Sequence, residues 1–154
     1  MNRVRLALLS LLLFVSIGGC TMWSSPEAEL SEGVRDLEAA MSRVLQVARP
    51  EADPKITRDP WPCEDPDRKG VVLGHDLKVA DPRGAVAAVL ELWRSEGLRI
   101  ELDRSTDTDR PEVIAGGPLI ELSIHGFPDR NTIYIEGNTV CLPGPIPENW
   151  HDVV

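Results

Sequence analysis

This chain of 154 residues has few aromatic side chains, few basic residues relative to acidic ones, and only three cysteines. Aromatic residues make up 5%, and 16 lysines and arginines face 25 aspartates and glutamates. The net charge of −9 argues against a nucleic-acid partner, because phosphate binding needs a clustered positive surface. The apolar share of 42% and the charged share of 27% nevertheless fit one ordinary globular domain.

The short motifs that mark catalytic and metal sites are also missing. None of the three histidines lies in an HExxH pattern, and no serine lies in GxSxG. Gly116-Gly117 is too short, and too far from a helix start, to form a phosphate loop. We therefore predict that the protein is not an enzyme and needs no cofactor.

The N-terminus has the layout of a bacterial secretory signal peptide. Arg3 and Arg5 precede an apolar run from Leu6 to Ile17, which is shorter than the roughly 20 residues of a membrane-spanning helix. The ending Ile17-Gly18-Gly19-Cys20 resembles a lipobox, the processing site of bacterial lipoproteins. This resemblance implies cleavage after residue 19 and lipidation of Cys20. The alternative is an ordinary signal peptide with Cys20 as a structural cysteine.

Lipidation at Cys20 predicts a location and a tether. Residues 20–27 would hold the domain on the extracytoplasmic side of the cell membrane, within about 25 Å of the lipid. Several acyl chains, such as palmitate, anchor a protein stably, whereas one chain binds only marginally. Removing residues 1–19 takes away two arginines and no acid, so the mature chain would have a net charge of −11.

The other two cysteines, Cys63 and Cys141, are expected to pair. Export would place them in an oxidising compartment, where disulfides form and persist. We predict a Cys63–Cys141 disulfide; the alternative is two free, buried thiols.

Two helices are predicted from apolar periodicity. Leu30, Val34, Leu37, Met41, Val44 and Ala48 form one helical stripe. Ser25 and Pro26 are expected at the start of this helix and Pro50 after its end. The second helix has Asp81 as its N-cap, Pro82 in its first turn and Gly97 as its stop.

The rest of the chain alternates between polar loops and strands of period two. Residues 49–70, with five prolines and eleven charged residues, indicate an irregular loop. Strands are predicted near 71–79, 98–102, 120–124 and 132–136, with residues 112–115 as a further short candidate. Gly137-Asn138 is predicted to be a hairpin turn or a bulge before residues 139–142. The pattern predicts an α+β domain over residues 28–142, with four to five antiparallel strands and two helices on one face. Residues 143–154 are predicted to be an irregular tail.

Two residues are candidates for a ligand pocket between sheet and helices. His75 shares its alternation register with Leu73 and Leu77, which points it inward, and Trp93 lies on the apolar face of the second helix. A buried histidine with a purely structural role is the alternative for His75. Pairing of His75 with Asp76 in catalysis is disfavoured, because adjacent strand residues point to opposite faces.

Acidic loops are weak candidates for calcium. Asp65-Pro66-Asp67-Arg68-Lys69-Gly70 resembles the start of a calcium loop, but it lacks the third acid and the bidentate glutamate. The alternative is that these acids are simply hydrated at the surface.

The order of these features along the chain matches that of a known class of lipoprotein. The chain begins with a lipobox and an amphipathic helix, followed by the segment Pro60-Trp61-Pro62-Cys63. The helix from Gly84 to Glu96 and the antiparallel strands come next, and the second cysteine lies in Asn138-Thr139-Val140-Cys141-Leu142. This layout resembles small actinobacterial lipoproteins of the LppA-like kind, and 13 arginines against three lysines suit such a source. The resemblance implies an envelope lipoprotein and supplies no catalytic residues.

Together these features predict a membrane-anchored, non-catalytic binding or accessory module of the cell envelope, for which an envelope protein is the candidate partner. The first alternative is a carrier or sensor of a small apolar or cationic ligand held between sheet and helices. The second alternative is an enzyme.

Overall fold

The computed structural model describes residues 28–151. The elements in chain order are α1 (Leu30–Ala48), β1 (Lys55–Trp61), β2 (Arg68–Lys78), α2 (Pro82–Ser95), β3 (Arg99–Asp103), β4 (Glu112–Gly116), β5 (Ile120–Phe127), β6 (Thr132–Thr139) and β7 (Leu142–Pro143). Short 3₁₀ helices cover Pro128–Arg130 and Glu148–His151. The strands form a seven-stranded antiparallel sheet in the order β1-β2-β6-β5-β4-β3, with β7 paired to β2.

The α+β class predicted from the sequence is confirmed, but the prediction of four to five strands is too low. The main addition is β1, which lies inside the segment 49–70 that the sequence predicted to be a loop. It pairs with β2 along its whole length, from Lys55 opposite Asp76 to Trp61 opposite Gly70. Charges and Pro60 are tolerated there because β1 is an edge strand, where a missing N–H breaks no ladder.

Helix α1 buries the predicted apolar stripe but starts later than predicted. Its N-cap is Glu29, and Ala28 and Glu29 are not helical. The helix ends at Ala48 because Arg49 adopts a left-handed conformation, with φ of 51°. Ser25 and Pro26 themselves lie outside the described residues.

Helix α2 has the predicted boundaries. The Asp81 carboxylate accepts a hydrogen bond from the Gly84 N–H at 3.0 Å, and Pro82 occupies the first helical position. Gly97 follows the helix with φ of +76°, a conformation that favours glycine. The N-cap and the glycine stop are predictable because capping chemistry is local in sequence.

The predicted turn or bulge at Gly137-Asn138 is wrong, because β6 continues through both residues. Gly137 pairs with Leu73 on one side and Leu122 on the other. A Cβ atom at Gly137 would lie 2.5 Å from Leu37 Cδ1 and 2.7 Å from Leu122 Cδ2. Glycine is therefore needed for the close approach of α1 to the sheet, not for a turn.

Both helices pack on the same face of the sheet and enclose the core. A Cβ at Gly33 of α1 would meet Leu142 at 2.8 Å, and one at Gly126 of β5 would meet Val86 of α2 at 3.3 Å. The buried sheet residues on this side are mainly branched aliphatic, including Val71, Leu73, Leu77, Val113, Leu122, Ile124, Ile133 and Ile135. The opposite face has no helix against it in residues 28–151.

The segment after residue 142 is more ordered than the predicted irregular tail. Leu142 and Pro143 form β7, and Trp150 is fully buried. The Trp150 Nε1–H donates to the Val72 carbonyl at 3.1 Å, and the Arg58 guanidinium lies 5.6 Å from the Trp150 ring centroid. This segment therefore covers part of β1 and β2.

Candidate functional site

His75 lies where the sequence register predicted, on the helix-facing side of β2. It is 4% exposed, and its Nδ1 has no hydrogen-bond partner. It lines a cleft of about 210 Å³ between α1 and the β1–β2 pair, which we call the His75 cleft. The other lining residues are Glu38, Met41, Ser42, Leu45, Arg58 and Leu73.

Burial and the nearby Arg58 cation lower the pKa of His75 below the ordinary value of 6.5. Burial has the larger effect, because it penalises the charged imidazolium. The imidazole is therefore neutral at pH 7, with one N–H donor and one acceptor nitrogen.

Trp93, the second predicted pocket residue, lies elsewhere. It is fully buried on α2, and its Nε1–H has no hydrogen-bond partner. It is not among the residues that line the His75 cleft. The structure therefore places His75 beneath α1 and Trp93 on α2, so the two candidates do not share one pocket.

The predicted disulfide between Cys63 and Cys141 is present, with an S–S distance of 2.06 Å. It joins residues 78 positions apart and connects the β1–β2 turn to the segment between β6 and β7. Arg68 reinforces this junction by donating to the Cys141 carbonyl at 3.0 Å. The alternative of two free thiols does not apply.

The acidic turn that carries the calcium candidates is held by its own contacts. Asp65 Oδ1 accepts from the Asp67 N–H at 2.9 Å, and Asp65 Oδ2 lies 3.7 Å from Arg68 Nε. Among residues 28–151 no group of three or more metal-type side chains comes together. Asp65 and Asp67 therefore remain a sequence prediction without further support.

The sheet face that points away from the helices, which we call the open face, is rich in carboxylates. Strand alternation and register place five acids on it: Asp59, Asp76, Glu112, Glu121 and Glu136. A sixth acid, Glu101, lies at the β3 irregularity, and its carboxylate reaches this face beside Gly116. Toward the β3 edge, Glu101 bonds Arg99 and Glu112 bonds Arg104. The other four acids make no ion pair within the part of the chain that the structure describes.

Tyr134 occupies the middle of the open face. Its hydroxyl donates to Glu136 Oε2 at 2.6 Å. Burial raises the pKa of this phenol first, and Glu136 and Asp76 raise it further, so the hydroxyl stays protonated. A Cβ at Gly74 would lie 2.7 Å from both the Tyr134 hydroxyl and Thr57 Oγ1. Glycine there lets the ring lie across β2.

Sequence reasoning did not identify Tyr134. The available signal was that it is the single tyrosine of the chain and occupies a polar position of a strand. Its neighbours Thr57, Asp76 and Glu136 come from three strands, and their proximity depends on sheet register.

A further cleft, of about 560 Å³, lies between the end of α1 and the start of α2. Its walls are mostly small or aliphatic residues, among them Ala48, Val79 and Ala85. Its exposed acid, Asp81, already caps α2. We therefore assign no ligand to this cleft.

Cys20 and the predicted signal peptide lie outside the described residues. Within residues 28–151 no helix has the length and apolar composition needed to cross a membrane. Comparison of the chain with family models, curated proteins and solved structures finds no match.

Proposed function

We propose that the chain is an envelope lipoprotein, anchored to the cell membrane through Cys20, whose domain is a non-catalytic binding module. The N-terminal layout and the likeness to LppA-like lipoproteins support the anchor. The Cys63–Cys141 disulfide supports an extracytoplasmic address, because structural disulfides are characteristic of oxidising compartments.

The proposed contact surface is the open face, and the proposed partner is a basic surface of another envelope protein. The observation that carries this proposal is a group of four carboxylates, Asp59, Asp76, Glu121 and Glu136, on a sheet face that no helix of residues 28–151 covers. Within those residues the four carboxylates make no ion pair. Opposite charge on the partner would provide steering and specificity. Tyr134 adds an amphipathic ring of the kind enriched at interfaces.

The anchor is tested by labelling cells with a palmitate analogue. The wild-type protein should carry the label and sediment with membranes, whereas Cys20→Ala should carry none and lose the anchored form. Equal labelling of both proteins would contradict the anchor and leave the open-face proposal untouched.

The partner is tested with a photo-crosslinking residue at position 123, in the middle of the open face. We expect crosslinks in intact cells to a partner peptide rich in lysine and arginine. The same probe at position 87, an exposed position of α2, is the control and should give no such product.

Charge dependence decides whether the contact is electrostatic. The variant D59N/D76N/E121Q/E136Q should abolish the position-123 crosslink. The matched control E29Q/E32Q/D36N/E91Q removes four exposed carboxylates from or beside the helices and should preserve it. Crosslinks that survive the first variant and high salt would contradict the proposal, because exposed charge attraction is screened by salt.

A carrier of a small ligand is the second candidate function. The His75 cleft favours it, because this cleft lies between a helix and the sheet and contains unpartnered polar atoms.

A further inference from the structure

Buried polar atoms without partners concentrate in the His75 cleft. In residues 28–151 three buried side-chain nitrogens have no hydrogen-bond partner: Arg58 Nε, His75 Nδ1 and Trp93 Nε1. Two of the three belong to residues that line this one cleft. An unsatisfied buried polar group destabilises the folded state, and native proteins keep few of them. Their coincidence in a cleft therefore points to a ligand that supplies the missing partner.

The chemistry of Arg58 and His75 defines which hydrogen-bonding group the ligand must supply. The Arg58 guanidinium is always charged and can only donate hydrogen bonds, so its Nε–H needs an acceptor. The neutral His75 ring donates one further N–H. Arg58 and His75 project on the same side of adjacent strands, because Arg58 pairs with Leu73 and Ile56 pairs with His75. Two oxygens of one group would accept from both.

We propose that the His75 cleft binds a small carboxylate, whose oxygens accept hydrogen bonds from Arg58 Nε–H and from the His75 ring. The proposal rests on the carrier function and names its ligand class. The apolar side chains Met41, Leu45 and Leu73 hold the short aliphatic part of the ligand.

The charge of Arg58 and the volume of the cleft restrict the class of ligand further. Hydrogen bonds between a guanidinium and a carboxylate are roughly twice as strong as neutral ones, which favours the anion over an amide. Arg58 repels the cationic ligand that the sequence suggested as one alternative. A cleft of about 210 Å³ is below the roughly 300–1,000 Å³ typical of drug-sized ligands, so long-chain lipids are excluded.

Binding requires a movement of Arg58. Its Nε and the His75 Nδ1 are buried beneath the cleft surface. Arg58 is only half-buried and lies against the Trp150 ring, so a rotamer change can turn its Nε–H toward the cleft. Glu38 stands on the exposed α1 side of the cleft, where solvent screens its repulsion of an anion.

The test is calorimetric titration of the full-length protein in detergent with sodium butyrate. Butyramide, butylammonium chloride and sodium chloride at equal ionic strength are the matched controls. We expect saturable binding and a raised unfolding temperature with butyrate alone. Arg58→Gln should weaken binding by about tenfold or more, because it removes the cationic donor. His75→Phe should weaken binding by a similar factor, because it removes the ring N–H and keeps a ring in the cleft.

Arg83→Gln is the matched variant, since Arg83 is an exposed arginine of α2 whose guanidinium bonds the Thr108 carbonyl. It should bind butyrate as the wild type does. Circular dichroism separates loss of binding from loss of folding.

Absence of saturable heat in wild type, equal binding of butyramide, or unchanged binding in a folded Arg58→Gln variant would overturn the proposal. Ordered water on both nitrogens in a crystal grown with butyrate would do the same. None of these outcomes affects the open-face proposal, because its test lies on the opposite side of the sheet.

Discussion

The two faces of the sheet are built from the same strands but have opposite characters. On β5, Ile120, Leu122 and Ile124 are 7%, 2% and 0% exposed against the helices. Their neighbours Glu121 and Ser123 point to the open face. One face therefore supplies the burial that holds the domain together, and the other has no helix against it within residues 28–151.

A glycine on each face illustrates the same difference. Gly137 lets the apolar side of α1 approach the sheet, where Leu37 and Leu122 leave no room for a Cβ atom. Gly74 makes room for Tyr134 and Thr57, whose contacting atoms are ends of side chains at the surface. The first contact shapes the core and the second shapes a candidate binding surface.

The largest expected difference is between Leu122→Ala and Ser123→Ala. Leu122→Ala should lower the free energy of unfolding by about 2–5 kcal/mol, because it loses buried surface and leaves a cavity. Ser123→Ala should change it by less than about 0.5 kcal/mol, as most surface substitutions do. Urea unfolding of both variants measures the difference.

A comparable loss of unfolding free energy in Ser123→Ala would show that the open face is covered in the folded protein. The denaturant slope provides the control. It should be the same in both variants and in wild type, since the surface exposed on unfolding is unchanged.

Features that depend on local sequence were predictable. The α1 stripe, the Asp81 cap and the Gly97 stop follow from periodicity and capping chemistry within a few residues. The Cys63–Cys141 pair followed from counting cysteines after one was assigned to lipid.

Features that depend on distant contacts were not predictable. Strand β1 was missed because charges and proline are typical both of loops and of edge strands. Burial of Trp150 depends on a hydrogen bond to Val72, 78 residues away, and no periodicity marks it. The contacts of Tyr134 with Thr57, Asp76 and Glu136 require the register of three strands, and the convergence of Arg58 with His75 requires that of β1 and β2.

An intermediate effect is expected when the two glycines are replaced by alanine. Gly137→Ala should lower the free energy of unfolding by about 1–3 kcal/mol, because overpacking forces Leu37 and Leu122 to shift. Gly74→Ala should cost less than about 1 kcal/mol, since Tyr134 can move into solvent and the unfolded chain loses entropy. Thermal unfolding of both variants checks the order, and a reversed order would contradict the packing assigned to α1.

The smallest expected effect is the pH dependence that His75 contributes. Its folded pKa lies below 6.5, so as pH falls from about 6.5 the unfolded chain binds a proton that the folded domain does not. Stability should therefore decrease until the pH reaches the folded pKa, and the slope that His75 contributes should vanish by about pH 7.5, one unit above the unfolded pKa. The groups that face His75 are Arg58 from β1 and Glu38 from α1.

His75→Gln should flatten the stability profile between pH 6.5 and the folded pKa, because glutamine does not titrate. Val113→Ala is the control, since it removes buried apolar surface on β4 and leaves the surroundings of the imidazole intact. It should lower the whole curve and keep the slope. An unchanged slope in His75→Gln would mean that the helix-facing side of β2 tolerates an imidazolium as readily as the open face would.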